Sequence, residues 1–122
     1  MNDSILISIR DALGYSQVKD FDNELILHIN SAFEVLRQNG YGNNVNVADE
    51  TMTWANFTSD QNEMLDAVKH YVYLFTRQLF DPPAPNAADR YDRVMEQLLW
   101  RIRENHDFYE YVHITEEVTN EN

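Results

Sequence analysis

The segment from His70 to Pro83 constrains this chain more than any other. Tyr71, Val72, Tyr73, Leu74 and Phe75 are followed by Arg77, Leu79 and Phe80, and the run stops at Asp81-Pro82-Pro83. At about 100° per residue, Met64, Val68, Tyr71, Val72, Phe75 and Leu79 share one helical stripe, whereas Tyr73, Leu74 and Phe80 project elsewhere. A surface helix needs one apolar face, and this one has more. The pattern predicts a central helix packed on at least two sides, against its own domain and against a neighbouring subunit. Pro82 cannot continue it, and Asp81, standing before a proline, is pushed out of the helical region.

The flanking sequence supplies partners for such a helix. Asp3 or Ser4 can cap a short first helix in which Ile5, Ile9 and Leu13 share a face, with Gly14 as its stop. A second helix is expected from Asp22 to Asn39, with Gly40 beyond its end and Leu25, Ile29, Ala32, Phe33 and Leu36 on one stripe; Leu27 and Val35 lie off it. Residues 40–53 carry loop chemistry in Gly40, Gly42, Asn43, Asn44 and Asn46, with a short extended piece at Val45 to Val47. Thr53-Trp54 through Phe57 reads as a turn whose aromatics plug the edge of the core. Ser59 or Asp60 then caps the central helix, Glu63 standing where a capping-box acid falls if Asp60 is the cap.

Beyond the prolines, Asn86 is the expected cap of a last helix whose apolar face is Tyr91, Val94, Met95, Leu98, Leu99 and Ile102. Trp100 falls about 170° from the centre of that face, beside Arg93, Gln97 and Glu104. It either anchors an interface or folds over a loop of its own subunit. From His106 onward the chain is aromatic and then acidic, and its periodicity fades. The reading is an all-α fold: a small bundle of about four helices with a long loop at residues 40–53 and an extended C-terminal tail. Residues 1–107 form a single helical domain and residues 108–122 an acidic, partner-binding tail.

Composition agrees. A chain of 122 residues and 14.4 kDa supports one core and not two. Three glycines and three prolines are too few for a β-rich or disordered chain. With no cysteine, disulfides and thiolate chemistry are excluded. Met1-Asn2-Asp3-Ser4 lacks basic residues and no apolar run approaches the ~20 residues of a membrane helix, so a soluble protein without an export signal is expected. The net charge of −12, from 21 acids and 9 bases, opposes binding to nucleic-acid phosphates. The charge is also segregated: Arg77, Arg90, Arg93, Arg101 and Arg103 lie close together in sequence, and the chain after Arg103 holds six acids and no Lys or Arg. A head-to-tail contact between identical subunits, or docking to a basic partner, can use such segregation.

The four histidines and the serines carry no catalytic or metal signature. Glu24/His28 and Asp66/His70 are each spaced to meet on one helical turn, but each is only a pair, four residues apart where a di-metal bundle uses Glu-x-x-His twice. Surface ion pairing accounts for both. His106 and His113 are expected to be solvated or at a contact. None of Ser4, Ser8, Ser16, Ser31 or Ser59 sits in a nucleophile elbow, and no glycine-rich phosphate loop is present. No catalytic residue, cofactor or metal ligand is therefore assigned, and an enzyme is not expected.

The tyrosine-rich helix running into Leu79-Phe80-Asp81-Pro82-Pro83 resembles the head-tail connector (adaptor) family of tailed bacteriophages. The helix ending at Leu13-Gly14, the helix opening at Phe21-Asp22-Asn23-Glu24-Leu25 and carrying Asn30-Ser31-Ala32, the loop reaching Thr53-Trp54 and the helix after the prolines follow that family's order over residues 1–104. The resemblance implies a virion protein of the phage neck that assembles as a ring matching the portal's twelvefold symmetry. It further implies contact with the portal on one side and with the next neck or tail-completion protein on the other, while DNA passes through without specific binding. No membrane is involved. Candidate interface residues are Leu27, Val35, Leu74, Arg93 and Trp100, with Tyr109, Tyr111, His113 and Ile114 in a β-prone tail that pairs with a portal edge or stays unstructured until assembly. A second reading from another class is an acidic binding module, a DNA mimic or inhibitor of a nucleic-acid enzyme. Its carboxylates should be arrayed like phosphates, whereas Arg90, Arg93, Arg101 and Arg103 interrupt the most regular helix.

Overall fold

A computed structural model describes residues 3–59 and 63–120, with side chains in the last helix up to residue 107. Five helices follow in order: α1 (Ile5–Ala12), α2 (Asp22–Gln38), α3 (Trp54–Phe57), α4 (Leu65–Phe80) and α5 (Pro85–Asn120). Among the described residues the only β pairing is an isolated bridge between Ser4 and Thr53. The all-α expectation holds, and the Trp54 turn is itself a one-turn helix.

Local chemistry sets the ends of these helices. Ser4 Oγ accepts a hydrogen bond from the Ile7 amide at 3.2 Å, so Ser4 is the cap of α1. At its other end the Tyr15 amide reaches the Arg10 carbonyl and the Gly14 amide the Asp11 carbonyl, with Gly14 at φ 86°. The end of α2 repeats this geometry through Tyr41 to Leu36 and Gly40 to Arg37, with Gly40 at φ 90°. Asp81 leaves the helical region as its proline neighbour requires. The last helix starts at Pro85, one residue before the expected Asn86 cap, because a proline in the first turn has no amide to lose and its φ is already helical. The Ser59 hydroxyl accepts from the Gly42 amide at 2.9 Å and braces the loop; α4 begins at Leu65 behind Met64, and Asp60 lies outside the described residues.

The core is a single cluster to which α1, α2, α4 and α5 all contribute. Leu25, Ile29, Ala32, Phe33 and Leu36 of α2 are buried as their stripe predicts, and α4 packs against both α2 and α5. Leu65, Val68, Tyr71, Val72, Leu74 and Thr76 of α4 are buried in consequence. Of the α5 face, Leu98 and Ile102 are buried, while Tyr91, Val94, Met95 and Leu99 are partly covered. Leu79, expected on the buried stripe, is instead 53% exposed in the last turn of α4. No helix among the described residues is long and apolar enough to cross a membrane.

The loop at residues 40–53 is strapped to α2. Asn30 donates to the Val47 carbonyl at 2.9 Å and accepts from the Val47 amide at 2.8 Å, taking both hydrogen-bonding groups that a neighbouring strand would use. Arg37 donates to the Val45 carbonyl, and Asn43 to the carbonyls of Asn56 and Thr58. The backbone of α5 continues as helix past Asp107 to Asn120, where an extended tail was expected. Between Pro85 and Asn122 the sequence has no further proline and no glycine to stop it, so the β-prone run Tyr111 to Thr115 stays in the helix that precedes it.

One interaction has no signal in the hydrophobic pattern. Arg10 is 3% exposed, donating to both carboxylate oxygens of Asp22 at 3.1 and 2.8 Å and to Glu50 at 2.8 Å. It thereby joins α1 to the start of α2 and to the end of the long loop. Burial opposes its charge, but the hydrogen bonds to Glu50 and Asp22 outweigh it and hold the guanidinium more firmly protonated than a free arginine. The bond from Arg10 holds the Glu50 carboxyl below the usual carboxylate range, with Lys19 Nζ at 3.6 Å adding to the effect. A carboxylate whose folded pKa is lowered stabilises the fold above its unfolded value of 4.5, and that contribution fades as pH falls through the lower folded value. Urea unfolding of the native chain should therefore weaken more steeply below about pH 4.5 than that of Glu50→Gln. Arg10→Met, which strands both acids, should cost about 3 kcal/mol at pH 7.

Candidate assembly surface

Two outward faces carry the most exposed large apolar side chains among the described residues, Leu27 at 63% and Trp100 at 56%. On α5, Trp100 stands opposite Leu98 and Ile102, so it points away from the helix against which they pack. It lines an open groove of about 460 Å³ with Arg93, Glu96, Gln97, Leu99 and Arg103. Arg93 Nε reaches back to the Asp89 carbonyl at 3.4 Å, leaving the rest of its guanidinium at the groove. The alternative in which Trp100 folds over a loop of its own chain is not what the structure shows.

On α2, Leu27 lies opposite Leu25, Ile29 and Leu36 and is flanked one turn away by Glu24 and Ser31, with Glu34 beyond. Glu24 meets His28 at 3.4 Å, the surface pair that the spacing predicts, and Ser31 donates to the Leu27 carbonyl. No three His, Asp or Glu side chains among the described residues gather as a metal site. Val35 is half-buried against the core, and Leu74 is 5% exposed within the core itself. Burial on both flanks of α4 thus absorbs Leu74 into its own chain. Tyr109, Tyr111, His113 and Ile114 fall on helical backbone, and their side chains lie outside the described residues.

A third apolar patch was not anticipated. Tyr15, Phe21 and Phe80 pack edge to face with centroids 5.3–5.7 Å apart, closing the α1–α2 connection onto the end of α4. Beside them Val18, Phe21 and Leu79 remain 39–53% exposed. The turn that presents Val18 has Gln17 at φ 65°, a left-handed conformation that a non-glycine residue adopts at a cost. The only hint in the sequence was an aromatic residue on each side of a polar turn. His106, expected to be solvated or at a contact, instead lays its ring against Gly40, where any larger residue would collide with it.

The two tryptophans separate stability from surface. Trp54 is fully buried, donates to Ser8 Oγ at 2.9 Å, sits edge-on to Phe33 and lies under the Lys69 ammonium at 5.7 Å. Trp54→Ala should lower stability by about 3–5 kcal/mol. Trp100→Ala and Leu27→Ala, which remove exposed groups, should change it by less than about 0.5 kcal/mol, measured by thermal and urea unfolding. A large loss for Trp100→Ala would show that this side chain belongs to the fold.

Comparison with curated proteins and with solved structures returns no match. A family model described as "Phage connector protein" matches residues 5–108, which takes in all of α1 to α4 and the part of α5 that carries Trp100 and His106. The chain belongs to the phage connector protein family.

Proposed function

We propose that this chain is a structural, non-enzymatic adaptor in the neck of a tailed phage, forming a ring beneath the portal that lengthens the DNA channel and receives the next neck or tail-completion protein. The observation that carries this reading is the family match over residues 5–108. The surface supports it. Leu27 and Trp100 are exposed on separate helices, as a subunit with two neighbours needs. A net charge of −12 keeps DNA sliding past without adhering. The acidic-mimic reading draws no support from α5, where four arginines stand among five acids between residues 85 and 107.

The length of α5 suggests how such a ring meets the portal. Its 36 residues span about 54 Å, whereas the 16 residues of α4 span about 24 Å, so α5 outruns the helix it packs on. The segment after Asp107, which contains Tyr109, Tyr111, His113 and Ile114, is the docking element in this reading, as the free end of a helix and not as an added strand. Purified portal rings mixed with the intact chain should give a complex whose mass, by native mass spectrometry, approaches twelve copies per portal. A chain ending at Asp107 should keep its helical circular dichroism and lose portal binding. Undiminished binding by the shortened chain removes the tail from the scheme, and absence of binding by the intact chain removes the adaptor role.

A further inference from the structure

We propose that the outward faces of α2 and α5 are the two halves of one contact between copies of this chain: the Trp100 face of one subunit seats antiparallel on the Leu27 face of the next. This inference rests on the ring reading above and specifies which surfaces close it. A single chain cannot bring the two faces together, because each points away from the core that α4 shares with both helices. A contact between unlike faces propagates head to tail and, where the rotation closes, makes a ring.

The register comes from matching spacings. On α5, Arg93, Trp100 and Arg103 stand at intervals of seven and three residues; on α2, read backwards, Glu34, Leu27 and Glu24 stand at the same intervals. With about 1.5 Å of rise per residue, both sets span about 15 Å. Antiparallel alignment therefore places Arg93 opposite Glu34, Trp100 on Leu27, and Arg103 opposite Glu24. Of the acids on the α5 face, Glu96 falls opposite Ser31 and Glu104 opposite Asn23 in this register, while Asp107 lies level with Asp20, before α2 begins. A parallel alignment that sets Trp100 on Leu27 puts Arg103 level with Asn30 and Arg93 level with Asp20, just before α2 begins, so it forms one ion pair at most where the antiparallel alignment forms two. Glu24 is paired with His28 at 3.4 Å on the surface, a partner it can exchange. Desolvating Trp100 between two ion pairs has the form of an interface anchor with a charged rim.

Charge reversal tests the register directly. By sedimentation over a wide concentration range, Arg93→Glu should weaken self-association about tenfold or more, and adding Glu34→Arg should restore it to within about threefold. Arg93→Glu with Glu24→Arg should not recover. The chain has no cysteine, so Asn23→Cys and Glu104→Cys, both at exposed positions, can be introduced together and joined by a short bismaleimide. A ladder of covalent oligomers is expected from the double variant, free or bound to portal, and nothing beyond a dimer from either single variant. Each of three outcomes overturns the pairing: cross-linked dimers alone, which mean a symmetric contact; no cross-linking either free or on the portal; or the Glu104→Cys thiol joined to the portal instead of to a second copy. Portal binding without a ladder discards the pairing and keeps the adaptor reading, whereas a ladder without portal binding does the reverse.

Discussion

The one-turn helix Trp54–Phe57 is the point where the other elements meet. Phe57 lies flat on Phe33 of α2, with ring centroids 3.7 Å apart, and its far side is closed by Gly42. Trp54 is tied to α1 through Ser8 and to α4 through Lys69. Asn56 accepts from both the amide and the hydroxyl of Thr53 and so locks the turn before it enters the core. A long loop precedes this turn, and Tyr41 and Val47 are its own side chains buried in the same core. With the rings seated, Asn30 and Arg37 need only fix the register of a loop whose end is already held.

Arg10 holds the same loop by a different means. A buried arginine, taken together with its two carboxylate partners, adds little net stability over three apolar residues in their place, since desolvation offsets most of the attraction. Its value is directional: Asp22 at the first turn of α2 and Glu50 in the loop must both come to one guanidinium. The loop is therefore pinned at Glu50 by charge and, one short step further along the chain, at Trp54 by packing. Such double anchoring leaves the outer faces of α2 and α5 unused by the fold.

Much of this was legible from periodicity. The stripes of α1, α2 and α5, the glycine stops at Gly14 and Gly40, and the break at Asp81 are local consequences of residue type, and each appears where the pattern put it. Other features were not legible, for physical reasons. Arg10 shares the buried side of its helix with Ile5 and Ile9, and only the distant Asp22 and Glu50 make burial there tolerable, so no local window reveals it. Leu74 lies off the main α4 stripe, which points to an interface; a helix packed on two flanks buries such residues within one chain. The β-propensity of Tyr111 to Thr115 predicts an extended C-terminal segment, but propensity yields to a helix already nucleated over the preceding turns. For the candidate surface, Leu27, Arg93 and Trp100 could be identified from angular position alone, whereas the Val18, Phe21 and Leu79 patch arises from chain closure and has no periodic signature.

Self-association of a chain carrying a charge of −12 must overcome its own repulsion. The repulsion is spread over the whole surface and acts across distances longer than the ~8 Å Debye length at physiological ionic strength, so salt screens most of it. Close ion pairs at a partly desolvated contact are screened much less. A contact built from a few short-range pairs around an apolar centre can therefore hold at salt concentrations where the general repulsion has faded. The segment of α5 between Pro85 and Asp107 is nearly neutral, four arginines against five acids, so a contact there meets little net repulsion. An acidity that repels nucleic-acid phosphates would equally limit where two copies could touch, and α5 is the helix on which arginines are concentrated.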